Sequence, residues 1–321
     1  MERREKAHVL KNMGDIPDSA GTFYCYQKGK MIYARKSANL QQGLRNIFTR
    51  DNEDPHIMQL ISLTDALEWR ETETLLEALC WEKLAQYQHP MELCQSIQPH
   101  QDYVYLAIRF HKVPYLKVEE TTIEDATYIG PFPGRFHLWE AIDVLADAFG
   151  YPACEDENFP CNRLRNKSCH GWCVEDQQKI ADVLLKNYLE INPALLEELA
   201  SRKESQLNDL HFAQADITES QLRILRRYYR YLAFFQRTKY LEGSMDCGPF
   251  NITLSHGQIA AIHHTQTYHF FVSPIEYQPN EELAIEKAAF NEAYVVADFV
   301  EKNASDLWDA ASRKNTNNTE E

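Results

Sequence analysis

The sequence predicts an α/β protein: a small antiparallel sheet with flanking helices, then a cysteine-bearing loop, a helical segment and a strand-rich C-terminal unit. Three features predict it. Short apolar runs surround glycine punctuation near the N-terminus, four of the eight cysteines fall between residues 154 and 173, and helical spacing fills about 175–235 before strand-like runs return. At 321 residues the chain is long enough for about two domains, each able to bury a core without disulfides.

The elements follow in order. GTFYCYQ, KGK and MIYAR read as a β-hairpin around a Gly-containing turn. From Ser37 to Phe48 the apolar positions Leu40, Leu44, Ile47 and Phe48 have helical spacing. HIMQLISLTD is expected as a third strand, and TETLLEALCWEKLAQY as a helix that stops before Pro90. YVYLAIRF and VPYLKVEE read as paired strands, and RFHLWEAIDVLADAFG as an amphipathic helix with a terminal Gly. A long helical stretch from about Glu175 to Phe235 is interrupted near Pro193. PFNITLSH, QIAAIHH and TYHFFVSPIEY then read as strands, followed by a helix from about Glu281 to Lys302. The polar tail SRKNTNNTEE is expected to be disordered. The implied divisions are 1–14 (tail), 15–95, 96–150, 151–175 (cysteine cluster), 176–239 (helical), 240–304 (C-terminal α/β unit) and 305–321 (tail).

MERREKAHVLKNMG has no apolar core of a signal peptide, and no run of ~18 apolar residues exists to span a bilayer. The expectation is a cytoplasmic protein without membrane partners, in which clustered cysteines ask for a metal rather than a disulfide. The net charge of −15 argues by itself against nucleic acid. Its distribution argues the other way. Residues 21–50, 159–173 and 221–240 together hold fifteen Lys or Arg and no Asp or Glu, leaving −30 on the remainder. That segregation suits DNA phosphates, although an acidic protein partner would be served equally. The candidate DNA contacts are Lys28, Lys30 and Lys36 in the first segment and Arg223, Arg226, Arg227 and Arg230 in the last. The four arginines are spaced i, i+3, i+4, i+7 with Tyr228, Tyr229 and Tyr231 among them, a basic stripe interleaved with stacking rings. The plainer alternative is a solvated face paired with the acidic remainder.

Cys154, Cys161, Cys169 and Cys173 form a tetrathiolate set suited to zinc or an iron–sulfur cluster. Zinc knuckles show close cysteine pairs, and only the last two are that close, so the looser spacing points to iron–sulfur, with unconnected free thiols as the alternative. His170 is an alternative ligand or an exposed loop residue. Cys25, Cys80, Cys94 and Cys247 lie singly in apolar surroundings and read as core. His256, His263, His264 and His269 form a second candidate metal set or a group of half-buried sheet residues.

Several motifs in fixed order carry a resemblance. DIPDSAGTFYCY with MIYARKSANLQQGLRNIF resembles the GIY-YIG nuclease region of the UvrC/Cho family of bacterial nucleotide excision repair. ETETLLEALCWE is similar to the family's Glu-Ala-Leu-Leu-Leu-Glu helix, and YIGPFPGRFHLWEAIDVLADAFGYPAC to its Tyr-Phe-Gly-Pro-Tyr segment and following helix. PCNRLRNKSCHGWC resembles its cysteine pairs, and LNDLHFAQADITESQLRILRRYY its UVR segment, which engages UvrB. The likeness runs from about residue 15 to 180, with the weaker UVR-like segment beyond it, and implies a GIY-YIG-like sheet, a [4Fe–4S] cluster on the four clustered cysteines, and DNA and a UvrB-like protein as partners.

Cleavage by such a site needs a metal-bound carboxylate, tyrosine hydroxyls near the attacking water, and an arginine against the charge that builds on phosphorus. By resemblance, Glu82 stands at the metal-binding Glu (for Mg2+ or Mn2+, held weakly) and Tyr33 at the tyrosine of the YIG element. Other positions are degenerate. Phe23 occupies the first tyrosine's place with Tyr24 adjacent, Arg35 replaces the Gly of YIG, Gly43 stands at the catalytic Arg, and Cys94 lies near the Asn position. Arg45 matches a second, non-catalytic Arg. The expected function is a DNA-repair-associated protein binding DNA or a UvrB-like partner, with nuclease activity lost. One alternative is an active endonuclease with Tyr24 and Arg35 or Arg45 in a rearranged site; another is an iron–sulfur interaction or redox-sensing protein.

Overall fold

A computed structural model of the chain describes residues 3–97, 100–110, 114–122, 126–149, 162–165, 171, 177–264, 268–271 and 283–318. The chain divides into two compact units. The first comprises Met1–Pro99, Leu241–Ile275 and Asn291–Ala311, and the second His100–Tyr240, Glu276–Phe290 and Ser312–Glu321. Both are mixed α/β, built on small, mainly antiparallel sheets.

In the first unit, strands β1 (Arg4–Glu5), β2 (Gly21–Gln27), β3 (Lys30–Ser37) and β4 (Ala66–Glu71) form a sheet of order β1-β4-β2-β3. The β2–β3 hairpin turns through Lys28 and Gly29, whose φ values of 49° and 82° are the left-handed pair a two-residue turn requires. The region expected as an N-terminal tail contributes β1 and helix α1 (Lys6–Lys11). Helix α2 (Leu40–Phe48) starts later than its apolar spacing suggests, because Asn39 is the cap: its side chain accepts from the Gln42 N–H at 2.8 Å, while Ser37 stays in β3.

The expected strand HIMQLISLTD is instead helix α3 (Pro55–Leu63) followed by β4. Asp54 caps it by accepting from the His56 N–H, and Pro55 sits in its first turn, so a helix start signal overrides the apolar run. Helix α4 (Leu75–Gln88) is capped by Thr74, which accepts from the Glu77 N–H at 3.1 Å, and it ends before Pro90 as its spacing predicts. A short helix, α5 (Glu92–Ser96), follows. One face of the sheet buries Phe23, Cys25 and Tyr33 against Leu40, Leu44 and Leu60. The other buries Tyr24, Tyr26 and Ala34 against Ala85 and Met91.

In the second unit, β5 (Val104–Phe110) pairs antiparallel with both β6 (Pro114–Glu119) and β7 (Ala126–Phe132), and the short strand Leu283–Ala284 adds to β7 in parallel. Glu119 accepts from Arg109 at 2.7 Å and from the Tyr128 hydroxyl at 2.7 Å. Burial works to raise its pKa, yet these bonds carry the carboxyl below its ordinary value. Helix α6 (Arg135–Phe149) matches its predicted extent. After α7 (Asn162–Arg165) come α8 (Gln177–Leu189), α9 (Pro193–Asn208) and α10 (Phe212–Thr238), so the long helical stretch is broken twice, at Pro193 and again at 209–211. Leu210 there has φ 60°.

The chain then returns to the first unit as a meander, β8 (Gly243–Cys247), β9 (Phe250–Ser255), β10 (Gln258–His264) and β11 (Tyr268–Phe271). It sits on α4: the Trp81 and Phe250 rings lie 4.8 Å apart; the helix Lys287–Asn303 also meets α4, where Lys83 pairs with Glu292 at 2.6 Å. His264 packs edge-on against Trp81 and Phe250, which makes it a sheet residue, and no group of three metal-capable side chains occurs among the described residues. The His269 side chain lies outside them. The tail expected to be disordered is instead helical over Ser305–Asn318. No helix among the described residues is long and apolar enough to cross a membrane.

Candidate functional site

Edge strand β3 brings the nuclease-like positions together. Paired residues of an antiparallel ladder share a face, so Phe23 with Arg35 and Cys25 with Tyr33 lie on one side, and Tyr24 with Ala34 on the other. On the first side the Phe23 and Tyr33 rings lie 6.2 Å apart, and Arg35 donates to the Tyr33 hydroxyl at 3.0 Å. Tyr33 is 2% exposed. Burial drives its phenol well above the ordinary value, with the Arg35 guanidinium pulling the other way.

An edge strand must find partners for its outward N–H groups. Here α4 and α5 supply them. The Ala34 N–H points at Cys94 Sγ, 3.4 Å away, and the Lys36 N–H donates to Glu82 Oε2 at 3.1 Å. The Lys36 ammonium stands 3.8 Å from the same oxygen, and Gln86 donates to Glu82 Oε1 at 3.3 Å. Lys36, expected at DNA, is thus paired with the expected metal ligand. Cys94 is not an isolated core thiol. Burial, reinforced by the Glu82 charge, pushes it up to about 11, so it is protonated at neutral pH. Cys80 and Cys247 are also neighbours rather than single residues, the contact raising the Cys80 thiol and lowering the Cys247 thiol.

Gly43 lies where α2 crosses β3. A Cβ there would meet Ser37 Oγ at 2.5 Å and Ser37 Cβ at 3.0 Å. Arg45 is exposed on α2. The expectation that Tyr24 replaces the missing tyrosine is corrected: the strand's alternation turns it to the opposite face, within reach of Arg70 and Tyr26. Burial pushes both Tyr24 and Tyr26 up to about 12. The unfolded chain releases these protons near pH ~10, so the stability that the buried phenols confer is intact below that pH and is lost as pH rises toward 12. The melting temperature should fall across this window, less steeply in Tyr24→Phe.

Lys28 and Lys30 are exposed at the β2–β3 hairpin tip. On α10, Arg223, Arg226 and Arg230 are exposed, whereas Arg227 is half-buried. Tyr228 and Tyr229 are core residues, 3% and 4% exposed, so neither offers a free ring along the exposed basic face of the helix. Tyr228 donates to the Tyr188 carbonyl at 2.7 Å. Cys154, Cys161, Cys169, Cys173 and His170 lie outside the described residues.

The UvrC/Cho excinuclease middle domain matches residues 103–181. UvrABC system protein C of Methanococcus maripaludis is 24% identical over 226 residues, 67% of this chain and 42% of that protein. The Colwellia psychrerythraea protein of the same name is 28% identical, over 66% of this chain and 35% of its own length. The chain thus resembles UvrC proteins over about two thirds of its length. It spans less than half the length of these UvrC proteins. Among solved structures, the GIY-YIG N-terminal endonuclease domain of UvrC from Thermotoga maritima, bound to magnesium, is similar at 20% identity. That likeness covers 27% of this chain and 97% of the domain, with a TM-score of 0.26. Within the UvrC-related stretch, sequence reasoning missed β7, because its TYIGPF run was read as a motif, and missed Ser37 as the group that closes the Gly43 position.

Proposed function

We propose that this UvrC-like chain acts in excision repair by binding DNA or a UvrB-like partner, without cutting DNA through its GIY-YIG-like junction. The commitment of Glu82 carries this reading. Its carboxylate is taken up by the N–H and ammonium of Lys36, and no group of three metal-capable side chains occurs among the described residues. Mg2+ is bound by carboxylates and water in near-ideal octahedral geometry, and a carboxylate already engaged by an ammonium group and an N–H is a poor fit for it. Phe23 has no hydroxyl to position water, Gly43 supplies no charge, and the Tyr33 hydroxyl is buried against Arg35.

Supercoiled plasmid incubated with Mg2+ or Mn2+ should stay intact with the wild type and with Glu82→Ala, with or without a UvrB-like protein. Metal-dependent nicking that disappears in Glu82→Ala would overturn the reading in favour of a rearranged endonuclease. The nearness of Tyr33, Arg35 and Glu82 at the β3 edge favours that second reading.

The partner half of the proposal is supported by the α9–α10 hairpin, whose tip exposes Leu207, Leu210, Phe212 and Ile217. The four thiols Cys154, Cys161, Cys169 and Cys173 support a [4Fe–4S] cluster by their donor chemistry. Protein purified anaerobically should contain iron and acid-labile sulfide in equal amounts; stoichiometric zinc without sulfide would reject the cluster.

A further inference from the structure

A pocket of about 330 Å3 lies within the second unit, lined from the start of α6 and from α10. Sites that enclose small ligands run on the order of 300–1,000 Å3, so this one accommodates a compact group. Its floor is the stack of Phe132 on Tyr228, with ring centres 5.8 Å apart and planes at 11°. Leu138, Ile224 and the half-buried Tyr231 complete the apolar lining.

Charge converges on this apolar cup. His137 Nδ1 and Glu140 Oε2 lie 3.0 Å apart in its lining, and Arg227 enters from α10. No hydrogen bond or ion pair engages Arg227 among the described residues. An aromatic floor with a guanidinium donor and a carboxylate acceptor matches the needs of a planar ring bearing hydrogen-bonding edges. The rest of α10 indicates where such a ring comes from. Arg223, Arg226 and Arg230 stay exposed on the helix, and Arg227 is the member of the basic stripe that turns inward. A row of cations beside an aromatic pocket suits a phosphate backbone with one base withdrawn from the stack.

We propose that this pocket receives an unpaired nucleobase of DNA held along α10, with Arg227 at the boundary between the phosphate track and the base. The proposal rests on the DNA-binding reading above. The chain therefore prefers DNA that carries an extrahelical base, since that base enters without first being unpaired.

Binding of a fully paired duplex and of the same duplex with a single-nucleotide bulge, measured by fluorescence anisotropy on the full chain, tests it. The bulged duplex should bind roughly tenfold more tightly, in line with the stacking of one base on an aromatic ring. Arg227→Gln and Tyr231→Ala should each shrink that preference, lowering affinity for the bulged duplex by more than they lower it for the paired one. A fluorescent adenine analogue at the bulge should change its emission on binding the wild type and not on binding Arg227→Gln. Equal affinity of the wild type for the two duplexes would overturn the pocket assignment and leave DNA binding standing; no binding of either would overturn both. Capture of a UvrB-like helical segment that is lost in Arg227→Gln, with the bulge preference intact, would give the pocket to a protein side chain instead.

Discussion

Replacing Arg223, Arg226 and Arg230 together by Gln should weaken DNA binding on the order of 10²-fold at ~0.15 M salt. Each cation that neutralises a phosphate contributes a slope of about −0.9 to the dependence of log affinity on log salt for duplex, and about −0.7 for single strands. Loss of three such contacts removes a slope of about 2.7 for duplex, which is two orders of magnitude between ~0.15 M and ~1 M salt. The effect should be the same across sequences, because phosphate contacts carry no base information. Folding should be untouched, since all three side chains are exposed and their neighbour Glu219 keeps its 2.8 Å pair with Lys203. Salt titration of the triple variant against wild type, with circular dichroism as the folding check, measures both. An unchanged affinity and slope would return the stripe to a solvated helical face.

The residues that were legible in the sequence share one property: their structure follows from local pattern. The hairpin through Lys28 and Gly29, the helix ending before Pro90, the β5–β6 pair and α6 all obey alternation, periodicity or punctuation within a few neighbours. Spacing also places the arginine stripe on one helix. What was not legible depends on side chains meeting across elements. The spacing of Arg223, Arg226, Arg227 and Arg230 is identical whether a side chain faces solvent or a pocket, and only the partial burial of Arg227 in the pocket lining separates it from the others. The tyrosines beside them read equally as stacking platforms or core; tertiary contacts make Tyr228 core. Glu82 looked like a metal ligand by position, but the N–H it accepts belongs to an edge strand in the preceding hairpin. At α3 the two local signals conflict: the apolar run suits a strand, while Asp54-Pro55 starts a helix, and the helix start prevails.

Gly43→Arg should not return an arginine to the junction, and should destabilise the first unit by about 1–3 kcal/mol, the usual effect of overfilling a packed contact. The obstacle is Ser37. A Cβ at position 43 lies 2.5 Å from Ser37 Oγ and 3.0 Å from Ser37 Cβ, and that hydroxyl is fixed by donating to the Asn39 carbonyl at 2.6 Å. The same hydroxyl accepts from the Asn39 N–H at 3.3 Å, and Asn39 is the cap of α2, so displacing Ser37 loosens the helix start as well. Phe23 closes the space behind, with Cε1 3.6 Å from the same point. Gly43→Ala isolates the steric part. In an open helix that change stabilises by about 1 kcal/mol; here it should be neutral or destabilising. Removing Ser37 Oγ and Cβ with Ser37→Gly should reverse the sign, so that Gly43→Ala becomes stabilising in that background, and the double-mutant cycle should show a coupling of about 1–2 kcal/mol. Denaturant unfolding of the four proteins measures it. Additive effects would mean that the junction has room for a side chain, and that the absence of an arginine at position 43 is a single-residue difference rather than a repacked helix–strand contact.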